Sequence, residues 1–348
     1  MVEWKKLGEI CTNLDYRRKP ITGSKRIFGI YPYYGASGIV DYIDNYIFDG
    51  DFLLVSEDGA NLLARTTPIA FSIKGKNWVN NHAHVLEFTN KVTQKYVETY
   101  LNMIDLSSWI SGGAQPKLNQ ANLNVIPVPI PSLSEQSRIV SILDTFTASI
   151  ENLKEQIAER RKQYEYQRDQ LLDLEGKEGV EMKKLGEIIQ VKKGEYITKK
   201  EAKEGIYPVI LGGKEPAYYI DKYNHTGKAM VMSRSGASAG YVSLWNEPIF
   251  VTDGFLIEPR GDVVFEYLYY TLKSKQGELH GSQKGGAIPH VTPASIGVIQ
   301  VRLPNISVQS RIVSILDTFE ASIANLEAQL ELRQKQYEYY RNKLLTFE

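Results

Sequence analysis

The chain holds one cysteine, Cys11, in 348 residues. A lone thiol excludes an internal disulfide framework and suits a reducing compartment. No stretch approaches the roughly 18 apolar residues of a membrane span. The opening Met1-Val2-Glu3-Trp4-Lys5-Lys6 lacks the apolar core of a signal peptide. A cytoplasmic location with no membrane partner is therefore expected. Net charge is missing as well, with 41 Lys and Arg against 41 Asp and Glu. Familiar chemistry is also absent. There is neither an Asn/Asp-Pro-Pro-aromatic motif nor a Gly-rich cofactor loop of the kind an adenine methyltransferase carries. Gly212-Gly213-Lys214 lacks the upstream glycine of a phosphate loop, and Glu215 stands where Ser or Thr would hold Mg²⁺, so it reads as a turn. His82 and His84 share one face of a strand without an apparent third metal ligand, and read as polar or core histidines. No nucleophilic triad can be assembled. Catalytic residues and metal ligands are both expected to be none.

What is present is a repeat. Ser134–Leu174 and Ser307–Phe347 align without gaps at an offset of 173, with 27 of 41 positions identical. Weaker echoes precede each copy. Lys5–Ile10 matches Lys183–Ile188, Ile30-Tyr31-Pro32 matches Ile206-Tyr207-Pro208, and Gly112-Gly-Ala114 matches Gly285-Gly-Ala287. The offsets drift from 178 through 171 to 173. The chain is one unit used twice, with boundaries at 1–133, 134–175, 176–306 and 307–348. Segments 134–175 and 307–348 recur at alternating spacings of three and four: Leu143, Phe146, Ile150, Leu153, Ile157, Arg160 and Tyr164, then Leu316, Phe319, Ile323, Leu326, Leu330, Arg333 and Tyr337. This is the seam of a left-handed coiled coil. A helix of about 40 residues is roughly 60 Å long, and its stripe needs a partner. The economical partner is the other copy, antiparallel; a parallel pair with another chain is the alternative. Ser132 with Glu135 forms a possible capping box, with Ser134 or Ser307 as other candidate caps.

The two globular halves read as strand-rich α+β domains, with short helices near Gln94–Met103 and Phe265–Lys275. Segments 1–133 and 176–306 carry small positive excesses, 13 against 12 and 17 against 14 charged residues. Arg17-Arg18-Lys19 and, in the second half, Lys199-Lys200 are either solvated surface or phosphate contacts. Ser56-Glu-Asp-Gly-Ala60 and Ser233-Arg-Ser-Gly-Ala237 are matching turns with different centres, the form expected of a loop that reads different bases. Arg234 is the first candidate for a base contact, with Ser235 beside it. Arg65, Lys117, Lys214 and Lys284 complete the candidate DNA-binding set, two of them in the donor-rich loops Gly112–Lys117 and Gly281–Pro289.

With these features the chain resembles the specificity subunits of type I restriction-modification systems over essentially its whole length. The resemblance rests on Ile126-Pro-Val-Pro-Ile-Pro-Ser-Leu-Ser-Glu-Gln136 with Ile139-Val-Ser-Ile-Leu143, on the copy from Val301 to Leu316, and on the Gly-Gly-Ala segments with Leu118 and Leu123 or Val291 and Ile296 downstream. Val308-Gln309 departs from the Glu-Gln of the family. The resemblance implies two target-recognition domains separated by two long helices that pair as an antiparallel coiled coil, pseudo-twofold symmetric. Each domain would read half of a split site on double-stranded DNA. The helices would set the spacer and bind two modification (methyltransferase) subunits, with restriction/translocase subunits joining for cleavage. No cofactor is expected in this chain, S-adenosylmethionine belonging to the methyltransferase subunit. Tyr166 and Tyr339 lie off the seam at the same heptad position. With Lys162, Gln163, Arg168, Lys335, Gln336 and Arg341 around them, they are candidates for partner contact or for packing on the neighbouring globule. The rival readings are a coiled-coil scaffold and a solitary DNA-modifying enzyme.

Overall fold

A computed structural model describes residues 2–113, 115–213, 215–283 and 290–347. The chain forms two compact units, Met1–Lys154 with Gln329–Glu348, and Glu155–Ala328. Each takes a share of both long helices, Leu133–Leu172 and Ile306–Leu345.

The strands of the first unit are β1 (Glu3–Lys6), β2 (Thr12–Asn13), β3 (Phe28–Gly35), β4 (Gly38–Ile43), β5 (Phe48–Ser56), β6 (Ala70–Val79), β7 (Ala83–Glu87) and β8 (Pro127–Ile130). Six form one sheet in the order β2-β7-β5-β6-β3-β4, and β1 pairs with β8. Neighbours in the sheet are antiparallel except β3 beside β6. Side chains alternate faces along a strand, and central β5 buries both. Leu53 and Val55 join the core under the helix Lys91–Met103, while Phe52 and Leu54 join a second cluster with Phe48 and Val85. Asn90 caps that helix by accepting from the amides of Val92 and Thr93, and Tyr96, Val97, Tyr100 and Leu101 form its buried face.

The second unit contains β9 (Glu181–Lys184), β10 (Ile189–Lys193), β11 (Tyr207–Ile210), β12 (Tyr218–Ile220), β13 (Ala229–Ser233), β14 (Val242–Trp245), β15 (Phe250–Val251), β16 (Gly254–Pro259) and β17 (Gln300–Leu303). Its sheets run β10-β16-β13-β14, β12-β11-β15 and β17-β9. The plan is that of the first unit, with β14 and β15 together replacing the longer β6: β11 runs parallel to β15 as β3 does to β6. Individual contacts recur. Tyr31 and Tyr46 pack at 5.0 Å between ring centres, Tyr207 and Tyr223 at 4.9 Å. The buried Tyr96 hydroxyl donates to the Pro129 carbonyl at 2.8 Å, and that of Tyr267 to Arg302 at 2.6 Å.

The repeated glutamines explain why each helix keeps its first turns. Gln136 Nε2 donates to the Pro131 carbonyl (2.9 Å) while its Oε1 accepts from Thr93 Oγ1 (2.8 Å). Gln309 Nε2 donates to the Pro304 and Asp262 carbonyls (2.8 and 2.9 Å) while its Oε1 accepts from the Val264 amide (2.8 Å). Both side chains are buried, so losing either partner leaves an unsatisfied amide. Ser132 caps the first helix through the Glu135 amide at 3.3 Å. The second is capped by Asn305 rather than Ser307, its Oδ1 accepting from the Val308 amide at 3.0 Å; the acceptor must precede the first turn, and Ser307 already lies inside it.

The helices pair antiparallel within each unit. In the first, Phe146 stacks on Tyr340 (5.3 Å) and Arg333 covers Phe146 (5.6 Å), while Leu345 is buried with Ile139 and Leu143. In the second, Arg161 bonds Glu327, Arg160 covers Phe319 (5.9 Å), and Tyr164 donates to Glu320 at 3.1 Å. Burial, then the nearby Asp317, lift the Glu320 carboxyl above its ordinary range against the Tyr164 and Tyr270 hydroxyls that favour its charge. Among the described residues, no helix is long and apolar enough to cross a membrane.

Candidate nucleic-acid interface

Strand register sets up a correspondence between the units. Ser56 faces Ala83 as Ser233 faces Gly254, and Asn13 faces Leu86 as Val191 faces Ile257. The Leu118 amide donates to the Glu57 carbonyl at 2.7 Å as Val291 does to Arg234 at 2.9 Å. Bridges join Asp58 to Lys117 and Ser235 to His290. Corresponding places are thus held by Asp15 and Lys193, Glu57 and Arg234, Asp58 and Ser235, His82 and Asp253, His84 and Phe255, and Lys117 and His290. At the first two, the sign of the charge is reversed.

In the first unit this place is closed. Arg18 reaches Glu57 at 2.5 Å and Asp15 at 3.3 Å, and donates to the Ala83 carbonyl at 2.9 Å. Lys117 Nζ lies 3.2 Å from the other Glu57 oxygen. The fully buried His84 bonds Asp15 at 2.6 Å and the Leu118 carbonyl at 2.7 Å, and the Val85 amide donates to Asp15 at 2.9 Å. Burial by itself would raise both carboxyls. For Asp15 the hydrogen bond and charge of His84, the Val85 amide and the Arg18 charge outweigh it. For Glu57 the hydrogen bond from Arg18, the charges of His84 and Arg18, and the Lys117 contact do so. Both end below the usual carboxylate range. His82, half exposed, pairs with Asp58 at 2.9 Å. Ligand atoms of Asp15, Glu57 and His84 lie within 4.8 Å of one another, close enough for a metal. The Arg18 guanidinium already contacts both carboxylates and the His84 charge acts on both, so cations of the chain itself face these two acids.

In the second unit the place is open. Arg234 Nε lies 3.0 Å from Asp253 Oδ1, off the line of a hydrogen bond. The Ser235 hydroxyl bonds the second Asp253 oxygen. Lys193, Arg234 and His290 line a groove of about 520 Å³ with Val191, Phe255 and Thr292.

The remaining candidates separate by what holds them. Arg18 is corrected from surface cation to internal ion pair, its side chain 12% exposed. Arg65 is corrected too: it donates to the carbonyls of Leu62 (3.1 Å), Leu101 (3.2 Å) and Ile104 (3.0 Å), tying its turn to the end of the helix Lys91–Met103. Arg17 is likewise engaged by its own unit, donating to the Ile47 carbonyl at 2.9 Å with its guanidinium over Phe48. Lys19, Lys199 and Lys200 are exposed. Lys214 and Lys284 lie outside the described residues, as do Ala114 and 285–289. Of the partner candidates, Tyr166 and Tyr339 are 62% and 59% exposed. Lys162, Gln163 and Lys335 are exposed as well, whereas Gln336 is half-buried, Arg168 pairs with Asp169 at 2.8 Å and Arg341 covers Tyr337. Asp15, Asp253 and His290 carry no signal in the sequence, whereas Glu57 lies at the variable centre of the first of the two matching turns and Lys193 in the basic pair Lys192-Lys193.

The model of the type I restriction modification DNA specificity domain matches residues 1–160 and again 177–333. The chain belongs to the type I restriction-modification specificity-subunit family. A putative type I restriction enzyme specificity subunit of Haemophilus influenzae is 34% identical, the alignment covering 99% of this chain and 96% of that protein. A type I restriction enzyme specificity subunit of Escherichia coli is 31% identical over 74% of this chain and 72% of its own length. The fold is shared with the crystal structure of a type I restriction-modification S subunit from M. genitalium, at a TM-score of 0.68 and 16% identity, covering 100% of this chain and 97% of that one. As a specificity subunit the chain repeats its family domain twice, matching the division into two units seen in the fold.

Proposed function

We propose that each unit reads one half of a split site on double-stranded DNA, and that the two long helices fix the spacer and dock two modification subunits. In this reading the chain is non-catalytic. S-adenosylmethionine is bound by the modification subunits, which methylate the site, and restriction/translocase subunits join for cleavage. The observation that carries it is a contrast between the two copies. The helices keep 27 of 41 positions identical, as expected of surfaces that face two copies of one partner. The turns after β5 and β13 keep one frame but replace Glu57-Asp58 by Arg234-Ser235, as expected of surfaces that face different bases. A coiled-coil scaffold accounts for the helices but not for this divergence within a fixed frame.

The test is methylome sequencing of a host expressing the chain with its modification subunit. A split adenine-methylated motif that disappears when this chain is deleted is expected. A stable complex with an active methyltransferase but no such motif would favour the scaffold. Methylation by the isolated chain would favour the solitary enzyme.

Tyr166 and Tyr339 test the docking half of the proposal. Their rings are exposed at matching positions, and interface tyrosines rank among the residues costliest to truncate, often about 2 kcal/mol or more. Replacing both with Ala is expected to weaken binding of the modification subunit at least about 30-fold, measured by calorimetry, with each unit still folded. Unchanged affinity would move the docking face elsewhere.

A further inference from the structure

The geometry points to the groove of Lys193, Arg234 and His290 as a DNA-contacting site of the second unit, built to take a pair of closely spaced acceptors, with no open counterpart in the first unit. It rests on the reading that the units bind DNA. Three observations lead there. First, the groove is undercompensated: its lining residues include the cations Lys193 and Arg234 and no acidic side chain, and the Asp253 carboxylate beside it pairs with Arg234. Second, donors stand ready. Among the described residues, Lys193 Nζ, both terminal nitrogens of Arg234 and the His290 ring make no hydrogen bond, and Arg234 Nε is shielded from solvent without one. A guanidinium steadied by a carboxylate on its Nε side keeps its terminal fork free, and that fork matches two acceptors at once. Third, the first unit shows what such a guanidinium binds when acceptors are at hand. At the corresponding place Arg18 contacts two carboxylates of its own unit, Asp15 and Glu57. The second unit has Lys193 and Arg234 at those two positions and leaves the acceptors to come from outside. The apolar floor of Val191 and Phe255 lowers the competition from water.

Two groups of DNA present such acceptors, the O6/N7 edge of guanine and a backbone phosphate. The complex of this chain with its modification subunit, carrying either R234K or K193A, separates them. Lysine keeps the positive charge beside Asp253 while removing the fork, so folding is preserved. Should R234K not assemble, R234Q, which also removes the fork, takes its place, and should K193A not assemble, K193Q does. Methylome sequencing gives the motif, and fluorescence titration of a duplex bearing that motif at several salt concentrations gives the affinity. If a guanine is read, R234K lets the motif become degenerate at one base pair of one half-site, with discrimination there falling about 5- to 150-fold. If a phosphate is held, the motif stays intact, while K193A weakens binding to every sequence alike and lowers the salt slope by about one. Either result supports the site. An unchanged motif together with unchanged affinity and salt slope in both variants overturns it. Failure of the wild-type complex to methylate any split motif would instead overturn the reading beneath it.

Discussion

Replacing Arg18 with Met is expected to destabilise the first unit by about 3–5 kcal/mol at neutral pH, because it leaves the buried Glu57 carboxylate without its main counter-charge and takes a second cation, after His84, from Asp15. Side-chain exposure is 12% for Arg18, 11% for Glu57 and 6% for Asp15, so water cannot substitute for the guanidinium. Lys117 is half exposed and reaches only Glu57. The pH dependence has a definite sign. Asp15 and Glu57 have folded pKa values below their ordinary ones, so their contribution is present above the ordinary carboxylate pKa of about 4 and is lost as pH falls through the depressed values. The wild-type first unit therefore loses stability in acid, and the gap to the Arg18 variant narrows there. Hydrogen exchange at the amides of β5 and β7, followed at pH 7 and in acid, reads this unit separately from the second. The corresponding change R234M is the control. Arg234 and Asp253 are each about a third exposed, so its cost is expected to stay within about 1 kcal/mol. A cost for the Arg18 variant below about 1 kcal/mol, or one that does not shrink in acid, would show that the first unit's cluster is not held by Arg18.

The contrast between these two arginines marks how far the sequence could be read. The heptads, the strand cores and the doubled plan are local or periodic, and each is visible in a window of a few turns. Phe52 to Val55 announce a strand buried on both faces, and Leu143, Phe146 and Ile150 announce a seam. The closed cluster is neither local nor periodic. Asp15, Glu57, His84 and Lys117 meet because β2, β7 and β5 are neighbours in the sheet and the segment at Leu118 bridges back to it. The correspondence between units was hidden by insertions: Asp15 and Lys193 are 178 apart, His84 and Phe255 only 171, so no single offset aligns them. Arg18 and Arg65 looked like surface cations because composition does not distinguish an exposed guanidinium from a buried one. Arg65 gave no warning either, although it is the only non-glycine described with a positive φ, 52°. The cap of the second helix followed the same pattern, Asn305 standing where the seam pattern gave no hint of a first turn.

Inserting one heptad into both long helices is expected to lengthen the spacer of the recognised site while leaving both half-sites unchanged. The places for the insertions follow from the division of the chain. Between Lys154 and Glu155, and between Ala328 and Gln329, the boundary of the two units crosses the helices. Insertions there keep Phe146 on Tyr340 in the first unit and Arg161 on Glu327 in the second. Seven residues span two repeats of the 3.5-residue seam, so the apolar stripe stays in register. An insertion of four shifts the seam, and a heptad in one helix alone leaves it without a partner; both are expected to abolish methylation. Seven residues add about 10 Å of helix, the length of roughly three base pairs at 3.4 Å each. Twist opposes the full increment. At 10–10.5 base pairs per turn, three more carry a half-site about a third of the way around the duplex, whereas a heptad turns a straight helix by only about 20°. The balance favours a spacer longer by about one to three base pairs, read directly from the methylated motif. The modification subunits must still meet their target adenines, so total methylation is expected to fall even where the new spacer is used. A motif with the old spacer would mean that the helices do not set the distance. A motif with altered half-sites would mean that the helices, rather than the sheets carrying Glu57 and Arg234, take part in reading bases.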